Sequence, residues 1–248
     1  MQRYRVELRF KGSRYFGWQV QPGRPTVQGV LEECFSLFLR MPVVITGAGR
    51  TDTGVHASFY TAHFDAGDLP FSSDDVVYKL NRFLPDDISL LSILPVPEDF
   101  HARFSALSRT YRYCINTVKD PFSVDTAWYF PRPLDVEKMN EAAGLLLKYD
   151  DFTSFSKLHT DVKTNRCLIE KAVWEREGPL LFFTITADRF LRNMVRAIVG
   201  TLLEVGKGRL TVAGFESVII KKDRGAAGSS APAHGLFLTG IRYPGDPA

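Results

Sequence analysis

The sequence has few cysteines and no long apolar run, and both absences narrow the possible classes of protein. Its 248 residues include 3 cysteines, Cys34, Cys114 and Cys167, which are far apart and form no C-x-x-C pair. A disulfide scaffold and a zinc-binding motif are therefore excluded, and reduced thiols in a cytoplasmic protein are expected. The first ten residues alternate charged with apolar side chains, so neither a signal peptide nor a membrane-spanning helix is expected there.

The chain also lacks a strong excess of either charge. Lys and Arg total 31 against 28 Asp and Glu, which gives a formal net charge of +3, so net charge alone does not indicate a nucleic-acid partner. Hydrophobic residues make up 45% and charged residues 24%, which is typical of globular chains and excludes disorder and fibrous repeats.

Hydrophobic periodicity predicts both strands and helices in the first half of the chain. Alternation over 3–10 predicts a half-buried strand, and a helical stripe over 26–40 begins at Thr26 as the N-cap. The next predicted elements are a short strand 43–45, a strand 56–64, a helix 73–84 capped by Ser72 or Ser73, and a strand 88–96. This β-α-β-β-α-β order is that of the ferredoxin-like arrangement.

A similar order returns in the second half. The predicted elements are a strand 109–116, a helix 134–149, a hairpin of strands 168–177 and 180–187, helices 190–205 and 212–222, and a strand 235–243. The sequence thus predicts an α+β fold of two tandem ferredoxin-like lobes with antiparallel sheets, residues 1–104 and 105–248. A central cleft between such lobes is the expected ligand site.

Basic and aromatic residues gather in three stretches. Residues 8–31 and 100–119 contain no acidic residue, and in the third stretch Arg189, Arg192 and Arg196 have helical spacing. Guanidinium groups hold phosphates, and aromatic rings stack on unpaired bases at about 1–3 kcal/mol per base. Each such residue alone is more often core or solvated surface, but the three stretches together favour a polyanion as partner, and cations with planar side chains are what a folded RNA needs.

The most informative segment is 43–57, where a predicted buried strand leads into a glycine-rich bend that carries Asp52. Arg50 and Asp52 share one face if the chain is extended there, and an Arg beside an Asp favours the ionised carboxylate. Three interpretations compete: a turn with a local ion pair, an aspartic protease D-T-G motif, and a lone catalytic aspartate acting on a sugar carbon. The protease needs two carboxylates that share a proton, which a flanking Arg opposes.

Several motifs together resemble the tRNA pseudouridine synthase A family. The segment Gly49-Arg50-Thr51-Asp52-x-Gly54-Val55-His56-Ala57 is similar to the catalytic motif of that family. The other matching motifs, in chain order, are Tyr15-x-Gly17-Trp18-Gln19, Thr26-Val27-Gln28, Leu80-Asn81, Leu84-Pro85-Asp86-Asp87-Ile88, Phe100-His101-Ala102-Arg103-Phe104, Arg109-x-Tyr111-x-Tyr113, Asp151-Phe152-x-x-Phe155, Phe190-Leu191-Arg192-Asn193-Met194-Val195-Arg196-x-Ile198-Val199-Gly200 and Ala231-Pro232-Ala233-x-Gly235-Leu236-Phe237-Leu238. They span nearly the whole chain, so the resemblance is not confined to one motif.

The resemblance implies isomerisation of uridine to pseudouridine in the anticodon stem-loop of tRNA, without metal or organic cofactor. It implies that Asp52 is the essential aspartate and that Arg196 pairs with it. Tyr111 matches the tyrosine that stacks on the target uracil and helps to remove the C5 proton. The family forms homodimers, so the resemblance also implies a homodimer, with tRNA as the partner and no membrane association.

The substrate-binding residues follow in the same way. Arg50 and the region from Arg14 to Trp18 match RNA-contacting positions of the family, and Arg24 belongs to the same basic stretch. Leu236 or Leu238 matches the apolar wall beneath the base. His56, His63 and His101 are expected to be packed or hydrogen-bonded, without a catalytic role.

The residue chemistry agrees with this resemblance. Breaking the N1–C1′ bond builds positive charge at C1′, which a carboxylate stabilises as in glycoside hydrolysis. A single Asp with an Arg and an aromatic lid suits an isomerase, because water must be kept out while the uracil turns. Three roles for Asp52 stay open: attack on C1′, attack on the uracil ring, or removal of a sugar proton. The alternative function is a non-catalytic tRNA-binding protein with the same basic and aromatic surface.

Overall fold

A computed structural model describes residues 1–157 and 164–246. The strands are β1 (Gln2–Phe10), β2 (Thr46–Gly47), β3 (His56–Ala66), β4 (Ile88–Val96), β5 (Ser108–Asn116), β6 (Trp128–Tyr129), β7 (Ile169–Glu177), β8 (Leu180–Ala187) and β9 (Leu236–Arg242). The helices are α1 (Val27–Leu39), α2 (Ser73–Asn81), α3 (Val136–Leu145), α4 (Met194–Gly206) and α5 (Val212–Lys221). The predicted α+β class is confirmed.

The chain divides into two compact units, the first made of residues 1–107 and 238–248 and the second of residues 108–237. Strand β9 begins in the second unit and ends in the first. Across residues 1–157 and 164–246, helices long and apolar enough to cross a membrane are absent.

The sheet of the first unit has β1 between β3 and β4, antiparallel to both, while β2 pairs with β3. The predicted alternation of β1 is confirmed, because Tyr4, Val6 and Leu8 are all buried. Helix α1 packs on this sheet through Phe35, whose ring meets Phe64 of β3 edge-on at 5.1 Å. Helix α2 packs against β4. The aromatic core of the unit therefore packs against β3, the strand that follows Asp52 in the sequence.

The sheet of the second unit has β8 between β5 and β7, antiparallel to both. Strand β6 pairs parallel to β5, so this sheet is mixed rather than purely antiparallel as predicted. Tyr113 and Trp174 both lie opposite Phe183 in the strand register and share its buried face. Helix α3 packs against β7 and against α4, and α4 belongs to the core of this unit because most of its residues are buried.

The predicted strand 43–45 is wrong, because side chains of α1 satisfy its backbone instead of a neighbouring strand. The Ser36 hydroxyl accepts from Val43 N at 2.9 Å, and Glu32 Oε1 accepts from Ile45 N at 2.9 Å. The Gln28 amide donates to Ile45 O at 3.0 Å. Sheet pairing begins only at Thr46, in β2.

The predicted helix 190–205 begins four residues late, since Asn193 adopts a left-handed backbone with φ 65°. Helical geometry starts at Met194, so Arg189 and Arg192 precede the helix and the predicted helical stripe of three arginines is wrong. Of these arginines, Arg196 lies on α4. The predicted helix 73–84 also ends early, at Asn81.

Candidate active site

Asp52 lies in the connection between β2 and β3, residues 48–55, called here the Asp52 loop. Asp52 is half-buried, and Arg50 is exposed to solvent. The loop closes on itself through Val55 N, which donates to Asp52 O at 3.1 Å. Its first residue is fixed by Ala48 N donating to Thr61 O at 2.9 Å. The carboxylate therefore stands on a short loop that is tied to β3 on one side.

A second set of bonds ties the loop to residues 12–18, the connection after β1. Gly54 N donates to Tyr15 O, and Trp18 N donates to Thr51 O, both at 3.4 Å. The buried His56 at the end of the loop accepts from Gly12 N through Nδ1 at 2.9 Å. The backbone on both sides of Asp52 is thus held by the same segment of chain.

Gly17 is required for this close approach. Its φ is +87°, a left-handed value that side chains disfavour, and a Cβ there would lie 2.3 Å from Thr51 O. A glycine at this position lets the two backbones meet directly beneath Asp52.

Tyr60 and Trp18 support the loop from the core. Their rings stack with centroids 4.1 Å apart, and Trp18 is 3% exposed. The Tyr60 hydroxyl donates to Gly49 O and lies 3.3 Å from Gly49 N. One buried phenol therefore bonds the backbone of the loop three residues before Asp52.

Residues 12–18 are in turn anchored by Asp87. Tyr15 Oη donates to Asp87 Oδ1 and Arg14 Nε donates to Asp87 Oδ2, each at 2.6 Å. Burial alone would raise the pKa of Asp87, but these hydrogen bonds outweigh it and hold that pKa below its usual range. Burial and the bond to Asp87 raise the pKa of Tyr15, so this phenol stays protonated. Asp87 is an ionised anchor for the segment beneath Asp52.

In the second unit, Tyr111 is half-buried on β5 opposite Ile185 of β8. Its ring meets Phe190 edge-on, with centroids 5.1 Å apart and planes at 89°. Two residues along the same strand, Tyr113 is fully buried and donates from Oη to Pro232 O at 2.8 Å. Burial raises the pKa of Tyr113, so it remains a neutral donor.

Arg196 is half-buried on the first turn of α4. Its Nε donates to Ala231 O at 2.7 Å, and its own carbonyl accepts from Ala231 N at 2.9 Å. Ala231 belongs to residues 228–232, called here the 228–232 loop, in which the Ser230 hydroxyl accepts from Asn193 Nδ2 at 2.6 Å. The guanidinium is therefore held in place by a loop far from it in sequence.

The remaining predicted residues occupy different environments. Arg24 is exposed, with its guanidinium carbon 4.4 Å from the centre of the Phe16 ring. Arg14 is exposed but paired with Asp87. Leu236 and Leu238 are both buried, and Trp18 lies beneath the Asp52 loop rather than at the surface.

The histidines of these motifs act as acceptors for backbone N–H groups. His56 accepts from Gly12 N, His63 accepts from Ala102 N at 3.1 Å, and His101 accepts from Arg103 N at 3.1 Å. Each bond uses Nδ1 as an acceptor, which requires a ring nitrogen without a proton. The expected non-catalytic role of these histidines agrees with this geometry.

Sequence reasoning did not identify Tyr60 or Asp87 as supports of the site. The available signal for Tyr60 was alternation along β3, which places it on the buried face with Ala62 and Phe64. A buried phenol needs a hydrogen-bond partner, so such a position predicts an anchoring role. Asp87 gave no comparable signal, because its partner Tyr15 is distant in sequence.

Comparison with known proteins agrees with the family that the motifs indicated. A family model described as tRNA pseudouridine synthase matches residues 8–105 and 142–244. The chain is 56% identical over 248 residues to tRNA pseudouridine synthase A of Parabacteroides distasonis, covering 98% of this chain and 97% of that protein.

Two further relatives carry the same description. Identity is 53% over 245 residues with the protein of Bacteroides fragilis, covering 98% of this chain and 97% of that protein. It is 41% over 249 residues with the protein of Bacillus licheniformis, covering 97% of this chain and 99% of that protein. The matched ranges include the Asp52 loop and Arg196, and the chain therefore belongs to the tRNA pseudouridine synthase family, isomerases that convert uridine to pseudouridine in tRNA.

Proposed function

We propose that this chain isomerises uridine to pseudouridine in the anticodon stem-loop of tRNA, with Asp52 as the catalytic residue. The observation that carries the proposal is the construction of the Asp52 loop. Gly54 and Thr51 are bonded to residues 12–18, and Gly49 is bonded to Tyr60. A carboxylate held on a backbone fixed at so many points is preorganised, as catalysis at a reacting centre requires.

The reaction breaks the N1–C1′ bond of uridine and forms a C5–C1′ bond after the uracil turns. The C5 proton is lost and N1 gains a proton, so no oxidant, reductant or cofactor is needed. Asp52 stabilises or captures the positive charge that builds at C1′. Arg196 pairs with this carboxylate through its guanidinium group. Tyr111 stacks on the everted uracil, offsetting the cost of a few kcal/mol of unstacking it.

The remaining residues bind the RNA around the target nucleotide. Arg50, Arg14 and Arg24 contact phosphates, which the exposure of all three side chains supports. Trp18 contributes to RNA binding indirectly, because its buried ring supports the Asp52 loop from the core. Leu236 or Leu238 forms the apolar wall beneath the base.

The same proposal covers the architecture and the assembly. The chain forms two tandem ferredoxin-like lobes, residues 1–104 and 105–248, with a central RNA-binding cleft. The strand order β4, β1, β3, β2 in the first unit supports a ferredoxin-like lobe. The active protein is a cytoplasmic homodimer without a metal or organic cofactor, and two copies double the net charge of +3 per chain.

Release of tritium tests the proposed reaction. tRNA labelled with tritium at uridine C5 is incubated with the protein, and tritium in water is measured. We expect release by the wild type and by Asp86→Asn, which removes an exposed carboxylate close to Asp87 in the same unit. Asp52→Asn should release no tritium while it still binds tRNA. Equal release by Asp52→Asn would remove Asp52 from the mechanism, and binding without release by the wild type would favour the non-catalytic alternative.

A further inference from the structure

The residues that join β4 to β5 include a tightly built turn, residues 100–105, called here the 100–105 turn. His101 N donates to the Ser105 hydroxyl, and Ser105 N donates back to His101 O, both at 2.9 Å. Arg3 Nη1 donates to Phe100 O at 3.0 Å and joins the turn to β1. The backbone of this connection is therefore fixed at both ends.

Two imidazoles and a phenol fix the middle of the turn. His63 Nδ1 accepts from Ala102 N at 3.1 Å, and Tyr243 Oη donates to Ala102 O at 2.6 Å. His101 Nδ1 accepts from Arg103 N at 3.1 Å and from Phe104 N at 3.4 Å. Burial, with the nearby His101 and Arg3, lowers the pKa of His63 to about 4, so this imidazole is a neutral acceptor at pH 7.

This fixed turn presents an aromatic ring to solvent. Phe104 is 74% exposed. The His101 ring lies against it at a centroid distance of 4.4 Å, and the guanidinium carbon of the exposed Arg103 is 5.4 Å from its centre. Single exposed apolar side chains are common on protein surfaces, but this one stands on a hydrogen-bonded turn and is flanked by a cation. The turn also begins the stretch 100–119, which contains no acidic residue.

We propose that Phe104 is a stacking site for an unpaired base of the bound tRNA, with Arg103 beside it for the adjoining phosphate. The proposal rests on the proposed function, since it takes tRNA as the ligand, and it adds a contact outside the residues assigned to the reaction. An aromatic face accepts any base, and a neighbouring guanidinium adds attraction to the backbone. A rigid turn lowers the conformational entropy that binding would otherwise cost.

The chain supplies its own matched control. The dipeptide Arg-Phe occurs again at Arg82-Phe83, and Phe83 is 71% exposed. There it is followed closely by Asp86, an exposed carboxylate whose charge repels a phosphate backbone. The two rings thus share the Arg-Phe dipeptide and a similar exposure, 74% and 71%. Phe83→Leu therefore separates the effect of the site from that of losing any exposed ring.

The experiment compares Phe104→Leu, Phe104→Trp, Arg103→Gln and Phe83→Leu by filter binding to unmodified tRNA over a range of salt concentrations. Leucine keeps an apolar side chain but removes the aromatic face, so Phe104→Leu should raise Kd about fivefold or more, with the salt slope unchanged. Phe104→Trp should bind at least as tightly as the wild type. Arg103→Gln should reduce the salt slope by about 0.7–0.9, as expected for one lost phosphate contact.

The midpoint of thermal unfolding of each variant shows whether weaker tRNA binding comes from lost stacking or from a destabilised fold. An unchanged Kd for Phe104→Leu, an equal loss for Phe83→Leu, or a Phe104→Trp variant as weak as Phe104→Leu would each overturn the stacking site. Tritium release by the wild type and by Phe83→Leu is followed in parallel. Failure of the wild type to release tritium counts against the proposed function alone, because the affinity ratios among the variants still decide whether Phe104 stacks.

Discussion

Among single residues, Tyr60 is the side chain that most directly fixes the backbone of the loop carrying Asp52. Its hydroxyl bonds the backbone of Gly49, and its ring is fully buried against Trp18. A shift of about 1 Å at a reacting group costs on the order of 100-fold in rate. The phenol is therefore expected to matter for the rate more than for folding, since one hydrogen bond contributes only about 1 kcal/mol to stability.

Tyr60→Phe removes only this hydroxyl. We expect the rate of tritium release at saturating tRNA to fall about tenfold or more, because the Asp52 loop loses its anchor at Gly49. The dissociation constant for tRNA should change by less than about twofold, since the exposed cations are untouched. Single-turnover release and filter binding measure the two quantities separately.

Tyr4→Phe is the matched control. Tyr4 lies on β1, is 6% exposed, stacks on Phe64 and donates its hydroxyl to Gly67 O at 3.2 Å. Both variants delete one phenolic bond to a glycine carbonyl and should lose about 1 kcal/mol of stability. The control should keep the wild-type rate. If both variants slowed equally, the effect of Tyr60 would be a general loss of stability rather than positioning.

The sequence predicted the candidate catalytic residue but not the residues that hold it. Asp52 and Arg50 stand out because charge and three glycines meet in one short segment. The bonds from Tyr15 to Asp87 and from Arg196 to Ala231 join residues far apart in the chain. Such pairs follow from tertiary packing, which periodicity and local composition do not encode.

At the level of elements, the contact between α4 and the 228–232 loop determines where Arg196 is held. A Cβ on Gly200 would lie 1.8 Å from Ser229 O, so only glycine lets the loop lie this close to the helix. Thr201 Oγ1 accepts from Gly228 N at 3.0 Å and fixes the same end of the loop. The loop then reaches Arg196 one turn earlier on α4, through Ala231.

Gly200→Ala should displace this loop. In a helix interior alanine is normally favoured over glycine by about 1 kcal/mol, but here the methyl group would overlap the Ser229 carbonyl. We expect a lower midpoint of thermal unfolding and a fall in tritium release of about tenfold or more, because Ala231 no longer holds the Arg196 guanidinium.

Gly144→Ala on α3 is the comparison for that variant, since a Cβ there meets nothing within 4 Å. It should raise stability by about 0.5–1 kcal/mol and leave the rate of tritium release unchanged. Wild-type activity in Gly200→Ala would show that the packing of the loop on α4 does not position Arg196.

Elements with local signals were predicted well. Helix α1 begins as expected, because Thr26 Oγ1 accepts from Gly29 N as an N-cap, and β4 has the predicted bounds, 88–96. The errors lie where distant residues replace local partners. Side chains of α1 satisfy residues 43–45, and the left-handed Asn193 delays the start of α4.

At the scale of the whole molecule, a net charge of +3 is too small to explain tRNA binding by itself. Binding must then depend on where cations are exposed without a nearby carboxylate. Arg24 lies on the ring of Phe16 in the acid-free stretch 8–31, whereas the charge of Arg14 is already balanced by Asp87. These two arginines should therefore contribute unequally to the attraction of phosphates.

Arg24→Ala is expected to weaken tRNA binding and to reduce the slope of log Kd against log salt by about 0.7–0.9, the value for one lost phosphate contact. Arg14→Ala should reduce the slope by less, because it removes a charge that Asp87 already neutralises, and it should lower the midpoint of thermal unfolding.

Arg176 on β7 is exposed between Glu175 and Glu177, so the control variant Arg176→Ala should leave the slope unchanged. Filter binding between 50 and 200 mM salt, about the range over which such slopes are measured, ranks the salt slopes of the three variants. Equal slopes for Arg24→Ala and the wild type would show that the basic stretch after β1 does not contact the phosphates of tRNA.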